Sequence, residues 1–154
     1  MKTMKKQNQP TPENYIKTKA RSLPIDACYI NENWQETGLA SIIVVRKHTN
    51  GKYTIGIYLV DIFALGTKDS FYRFNIEKYE LDEIIEKASY ENMIEQNYAF
   101  VHNLIYGANA FAEDNDFKVC KEFNITQFIL EEDTDDIELI EFEFGRDGEP
   151  FLIV

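Results

Sequence analysis

Two runs of residues rich in β-branched and aromatic side chains dominate the first half of the chain. They are Leu39–Lys47 and Tyr53–Phe63, with Asn50-Gly51 between them. An Asn-Gly pair between such runs predicts a β-hairpin, because both residues tolerate the positive φ of a tight turn. Both runs are apolar on both faces, so we expect central strands covered by helices. A two-residue turn would place these residues opposite one another: Thr49 and Lys52, Val45 and Gly56, Ile43 and Tyr58.

Three helices are predicted from helical spacing and end signals. A short one begins at Thr11-Pro12-Glu13, where Thr caps and Pro fits the first turn, and it ends at Ser22-Leu23-Pro24. Glu77–Tyr90 and Tyr98–Asp114 each have an apolar stripe at a spacing of three and four residues. Thr126–Leu130 fits either a helical turn or a short strand.

Further strands are predicted on both sides of these helices. Ile25–Trp34 is interpreted as an extended piece followed by a turn, and Asp69–Ile76 alternates as a third strand. Ile137–Phe144 alternates apolar and acidic residues, Asp147-Gly148 predicts a turn, and Pro150–Val154 predicts the last strand.

These elements predict an α+β fold. We expect a mainly antiparallel sheet of about five strands, made of two hairpins and a middle strand. Two main helices are expected to cover one face, with a short N-terminal helix beside them. Residues 1–10 are polar and basic and are interpreted as a flexible tail, and residues 11–154 as a single domain.

Charge is unevenly distributed along the 154 residues. The net charge is −11; residues 1–21 carry +5 and residues 22–154 carry −16. An acidic body repels phosphate backbones, so we expect no nucleic-acid binding and favour a basic protein partner over an acidic one. Solubility alone is the other explanation of this charge.

The remaining composition favours a cytoplasmic protein. Cys28 and Cys120 form no CxxC motif and are expected to be free thiols. No continuous apolar stretch is long enough to span a membrane, and the basic N-terminus lacks the apolar segment of a signal peptide. We expect no cofactor and no membrane association, and the pattern leaves the oligomeric state open.

Four blocks of sequence form one pattern. They are 23–47 (LPIDACYI, Trp34, GLA and RK), 56–71 (GIYLVD and LGTKDSF), 102–113 (HNLIYGA and FAE) and 144–151 (FGRDGEPF). Together these blocks resemble a family of uncharacterised bacterial cytosolic domains. The resemblance covers most of residues 23–152 and departs from the family pattern at Ala64, where a cysteine is expected, and at Asp116, where a glycine is expected. It implies a bacterial cytosolic domain and no particular activity.

One constellation of side chains is a candidate for catalysis. His102, Tyr106, Asn109 and Glu113 share one face of the predicted helix. If that face meets the turn at Leu65-Gly66, His102 would lie near Asp61 and Asp69, with Tyr106 and Lys68 nearby. An imidazole oriented by a carboxylate can act as a general base, which would suit a small hydrolase. The alternative is that His102 only ties the helix to the strand ends by a hydrogen bond.

Asp61 is the least expected residue of its apolar run. A carboxylate in such a run is usually buried and paired, and the candidate partners are Lys68, Arg73 and His102.

The acidic block Glu131–Asp136 is interpreted as a solvated loop. A cation site of clustered oxygens is the alternative, but the block lacks the EF-hand spacing, and no metal site is predicted. We expect a binding protein whose acidic surface suits a basic protein partner, for example a toxin held by its inhibitor. A small enzyme and an accessory domain that works beside a genomic neighbour are the alternatives. The predicted partner-binding residues are Glu131, Glu132, Asp133, Asp135, Asp136, Glu141 and Glu143.

Overall fold

The predicted hairpin forms the middle of the sheet in the computed structural model, which describes residues 11–88 and 92–152. Its strands are β2 (Leu39–Lys47) and β3 (Tyr53–Asp61). Ile43 lies opposite Ile57 rather than Tyr58, so the predicted register is wrong by one residue. The sheet runs β4-β3-β2-β1-β5, and every neighbouring pair is antiparallel. The other strands are β1 (Ile25–Asn31), β4 (Gly66–Ile76) and β5 (Met93–Gln96).

The hairpin turn is one residue longer than the Asn-Gly signal predicts. The His48 N–H donates to the carbonyl of Lys52, which leaves three residues in the loop, and Gly51 has φ +86°. A three-residue loop that ends on a left-handed glycine is the next most common hairpin turn after the two-residue forms. The Asn50 side chain accepts from the Lys52 N–H, which stabilises this longer turn.

The predicted α+β class is confirmed, with five antiparallel strands and a short N-terminal helix. That helix begins with a Thr11 side chain that accepts from the Asn14 N–H. The Thr126–Leu130 region is helical, as a short helix followed by a 3-10 turn at Gln127–Ile129. The helices are α1 (Pro12–Lys19), α2 (Trp34–Thr37), α3 (Lys78–Lys87), α4 (Tyr98–Asp114) and α5 (Phe123–Thr126).

The two main helices lie on opposite faces of the sheet rather than on one. Ile42 and Val44 of β2 face α4, while Ile43 and Val45 face α3. Alternate residues of a strand point to opposite faces, so a strand that is apolar at every position must be covered on both. With one helix on each face of the sheet, the apolar side chains on both faces of β2 are covered.

The predicted C-terminal hairpin is wrong. Residues 137–152 contain no strand, only an isolated bridge between Arg146 and Glu149. The five strands of the sheet include β1 and β5 in place of the two strands of that hairpin. The predicted tail 1–10, the end of the predicted helix at Tyr90, and the last two residues lie outside the described residues. No described helix is long and apolar enough to cross a membrane.

Candidate functional site

His102 lies in the middle of α4 with its side chain fully buried. Its Nδ1 is 2.6 Å from the Tyr98 hydroxyl, and its Nε2 is 3.0 Å from Oδ1 of Asp133. The Tyr98 hydroxyl also accepts from the Glu131 N–H at 2.7 Å. Both ring nitrogens therefore connect α4 to the acidic segment that follows α5.

This network assigns the proton positions. The carboxylate of Asp133 has no proton to donate, so Nε2 of His102 carries the ring proton and donates it to Asp133. Nδ1 of His102 then accepts from the Tyr98 hydroxyl, whose oxygen in turn accepts from the Glu131 N–H. Burial raises the pKa of Tyr98, which keeps the hydroxyl protonated as this arrangement requires. Neither ring nitrogen is left to take a proton from a substrate. This favours a structural role for His102, which ties the helix to another segment, over a role as a general base.

The expected pairing of His102 with Asp61 or Asp69 is not formed. Oδ1 of Asp61 accepts from the N–H groups of Phe63 and Ala64, at 2.9 and 3.2 Å. Asp61 is thus satisfied by the backbone of the turn that follows it, and the ion pair predicted for it is wrong. Asp69 accepts from the Ser70 N–H. The side chain of Lys68 points to solvent, and Arg73 pairs with Glu80.

The α4 face and the Leu65-Gly66 turn do meet, through Asn109. Its Oδ1 accepts from the Thr67 N–H at 2.8 Å. Gly66 has φ +65°, and a Cβ there would lie 2.8 Å from that oxygen, so this position requires glycine. Of the four residues on the predicted face, only Asn109 reaches the turn. Tyr106 packs against His102 with their rings tilted and the centroids 4.7 Å apart, and Glu113 is exposed.

A second tie to the same segment comes from Arg46, which is 1% exposed. Its Nη2 donates to Oε2 of Glu131 at 2.7 Å, and its Nε donates to the carbonyl of Ile129. Its Nη1 donates to the carbonyl of Leu23. A buried guanidinium needs this degree of satisfaction, because an unpaired charge in the core is very costly. Arg46 and His102 together fix residues 129–133 to the body.

Beyond this anchored stretch, the chain passes over α4 without regular secondary structure. Ile140, Phe142 and Phe144 are half-buried and alternate with exposed residues. Phe142 packs edge-on against Trp34 and Phe100, with centroids 6.0 and 5.0 Å apart. The predicted alternation is therefore present, but the apolar face rests on helices instead of entering the sheet.

The backbone of this stretch is largely unpaired. Asn103 Nδ2 donates to the Glu138 carbonyl, and the Gly145 N–H donates to the Ile62 carbonyl. Within residues 11–88 and 92–152, the N–H and C=O groups of 139–144 make no hydrogen bond between these two points. We call residues 138–144 the C-terminal strip.

Two shallow depressions lie beside this strip, with volumes of about 410 and 350 Å³. They share Asn103, Asp133 and Leu139, so they form one continuous surface. Tyr106, Phe142 and Phe144 supply an apolar floor, and Leu139 is 73% exposed at the boundary. We call this surface the acidic groove, for its remaining polar lining residues Asp133, Asp135, Glu138 and Glu141.

The predicted partner-binding acids fall into two groups. Glu131 and Asp133 have internal partners, Arg46 and His102. The others are exposed and make no ion pair within the described part of the chain. Those exposed acids are Glu132, Asp135, Asp136, Glu141 and Glu143.

Sequence reasoning missed Arg46, Tyr98 and Asn103. Arg46 follows four apolar residues in a strand expected to be central, and that placement is itself a signal of a buried charge. Tyr98 is four residues before His102, on the same helix face. No pattern in the sequence indicates the contact of Asn103 with the Glu138 carbonyl, because it depends on where the strip docks.

No group of three or more His, Cys, Asp or Glu side chains among the described residues is arranged to hold a metal ion. Both cysteines are free, as predicted, and burial raises the pKa of Cys28 to about 12. No protein-family model, no curated protein and no solved structure matches the chain. The resemblance to uncharacterised bacterial domains stays a prediction.

Proposed function

We propose that this protein binds a basic, extended segment of another protein at the acidic groove. The observation that carries the proposal is the C-terminal strip, in which exposed acids alternate with half-buried apolar residues and residues 139–144 make no backbone hydrogen bond to the described part of the chain. A partner strand can pair with such a backbone, and lysine or arginine side chains at alternate positions would meet Glu141 and Glu143.

Two further features support binding at this place. Exposed acids without an internal partner raise the local concentration of a cationic partner and speed its association. The anchored residues Glu131 and Asp133 hold the segment that leads into the strip to the core, so little chain entropy is lost when a partner binds. The hydrolase alternative gains no support from His102, whose nitrogens are both engaged.

The test uses a short peptide that alternates lysine with valine, with binding followed by fluorescence anisotropy at low salt. The groove variant is Glu138→Gln, Glu141→Gln and Glu143→Gln together. A matched control, Glu83→Gln, Glu86→Gln and Glu95→Gln, removes the same charge from other exposed positions. We expect the groove variant to weaken binding at least about tenfold, and the control to change it far less.

A peptide that alternates glutamate with valine should not bind. Equal weakening by both triple variants would mean that net charge alone attracts the peptide, and it would contradict a site at the groove.

A further inference from the structure

β4 is an edge strand of the sheet, and it leaves an apolar side chain exposed. Phe71 is 52% exposed, although it lies in the middle of the strand opposite Ile57. Beside it is a depression of about 300 Å³ whose apolar lining is Ile57, Ile84 and Ala88. Exposed edges with apolar side chains are places where a further strand adds to a sheet.

Most of the outer edge of β4 is unpaired among the described residues. The Cys120 N–H donates to the Thr67 carbonyl and covers the beginning of the strand. From Asp69 to Ile76, no backbone hydrogen bond joins β4 to any described segment other than β3. This length is enough to pair with another strand over several residues.

The charges along β4 are self-complementary about Phe71. Asp69, Phe71 and Arg73 pair with Leu59, Ile57 and Ile55 of β3, so all three point to the same face. If a second β4 runs antiparallel with Phe71 opposite Phe71, Asp69 of each copy lies opposite Arg73 of the other. Opposing side chains in such a pair are close enough to interact, and opposite charges stabilise it.

Both charged groups have capacity left for this contact. Arg73 donates one N–H to Glu80, at 3.2 Å, and its side chain is 48% exposed. A guanidinium has five N–H groups, so a second carboxylate can also be bound. Asp69 accepts from Ser70 through Oδ1, which leaves Oδ2 for the opposing Arg73.

We propose that two copies of this chain associate through their β4 edges, with Phe71 on the two-fold axis and two reciprocal Asp69–Arg73 ion pairs. A two-fold contact of this kind joins the same patch on both copies and closes on itself. The result is a continuous sheet of two copies, in which the Phe71 rings cover each other and the depressions beside them. This inference is independent of the proposed function, because the acidic groove lies on α4.

Sedimentation velocity over a range of protein concentrations tests the proposal. We expect a reversible monomer–dimer equilibrium for the wild type. Arg73→Glu or Asp69→Lys alone should raise the dimer dissociation constant about tenfold or more, because each places like charges opposite one another twice. The double variant Asp69→Lys with Arg73→Glu restores opposite charges in trans and should recover dimerisation to within about threefold of wild type.

The double variant separates this contact from effects inside one copy. Arg73→Glu also places a second carboxylate beside Glu80, and that repulsion persists in the double variant. Recovery must therefore come from position 69 of the other copy. The exposed substitution Glu36→Lys serves as a charge-reversal control away from β4. A monomer at all concentrations, or a dimer that neither single reversal weakens, would overturn the proposal.

Discussion

The segments Leu39–Lys47 and Ile137–Phe144 both predict strands, and only the first enters the sheet. β2 is buried on both faces, with Ile42, Ile43, Val44 and Val45 fully enclosed. The second segment alternates half-buried apolar residues with exposed acids and rests on helices. Alternation therefore indicates that one face is covered, but it does not indicate what covers it. A strand with glutamate on one face is restricted to a surface, where a helix can take the place of a sheet.

Truncating one core side chain in each region tests this difference directly. Ile43→Ala should lower the free energy of unfolding by about 3 kcal/mol, because Ile43 is completely buried between β2 neighbours and α3. Phe142→Ala should lower it by about 1 kcal/mol, since its ring is only half-buried. Urea denaturation measures both. Equal losses would mean that the C-terminal strip is as integral to the core as the hairpin.

The second test removes the hydrogen bonds that tie the segment before the strip to the core. His102→Phe keeps an aromatic ring at this position but removes both hydrogen bonds. We expect it to lower the free energy of unfolding by about 2 kcal/mol. Amides of residues 131–136 should exchange faster with deuterium, while those of β2 and β3 stay protected.

Asp133→Asn is the matched control for this tie. Asparagine retains an oxygen that accepts from Nε2 of His102, so we expect less than half of the loss seen with His102→Phe. An equally large loss in Asp133→Asn would mean that the tie depends on the carboxylate charge of Asp133 and not only on an acceptor oxygen at that position.

What the sequence predicts follows from how local each signal is. The hairpin, α4 and the N-terminal cap depend on neighbouring residues, and all three form as predicted. The predicted register of the hairpin is wrong by one residue, because Asn-Gly is also compatible with a three-residue loop, which the side chain of Asn50 stabilises.

The site depends on contacts between distant parts of the chain. The spacing on α4 placed His102 and Asn109 on one face, but nothing local indicates that Asp133 would reach the ring from 31 residues away. Asp61 was assigned a charged partner, whereas the turn it begins supplies two backbone N–H groups. A pattern of side chains does not indicate which backbone N–H groups are available as donors. For a buried carboxylate before a turn, both a charged side-chain partner and backbone donors therefore have to be considered.

A rise from pH 9 to 10 should affect the two regions through different groups, and by no more than about 1 kcal/mol. Cys28, in β1, has a pKa raised from 9.0 to about 12 in the folded protein, mainly because burial disfavours the thiolate. The unfolded chain therefore loses this proton at lower pH than the folded one. Stability from this group is fully present below pH 9 and is lost as the pH rises from 9 towards 12, by about 1 kcal/mol per pH unit.

Cys28→Ala should remove this contribution and leave the pH dependence of the buried tyrosines. Burial also raises the pKa values of Tyr58 and Tyr98 above 10, so wild type and variant both lose stability above that value. The difference between their unfolding free energies from pH 9 to 10 isolates the thiol in the sheet region. Tyr98→Phe does the same for the tie to the C-terminal strip, at higher pH. If Cys28→Ala and wild type lose stability in parallel from pH 9 to 10, the thiol of Cys28 ionises as readily in the folded sheet as in the unfolded chain.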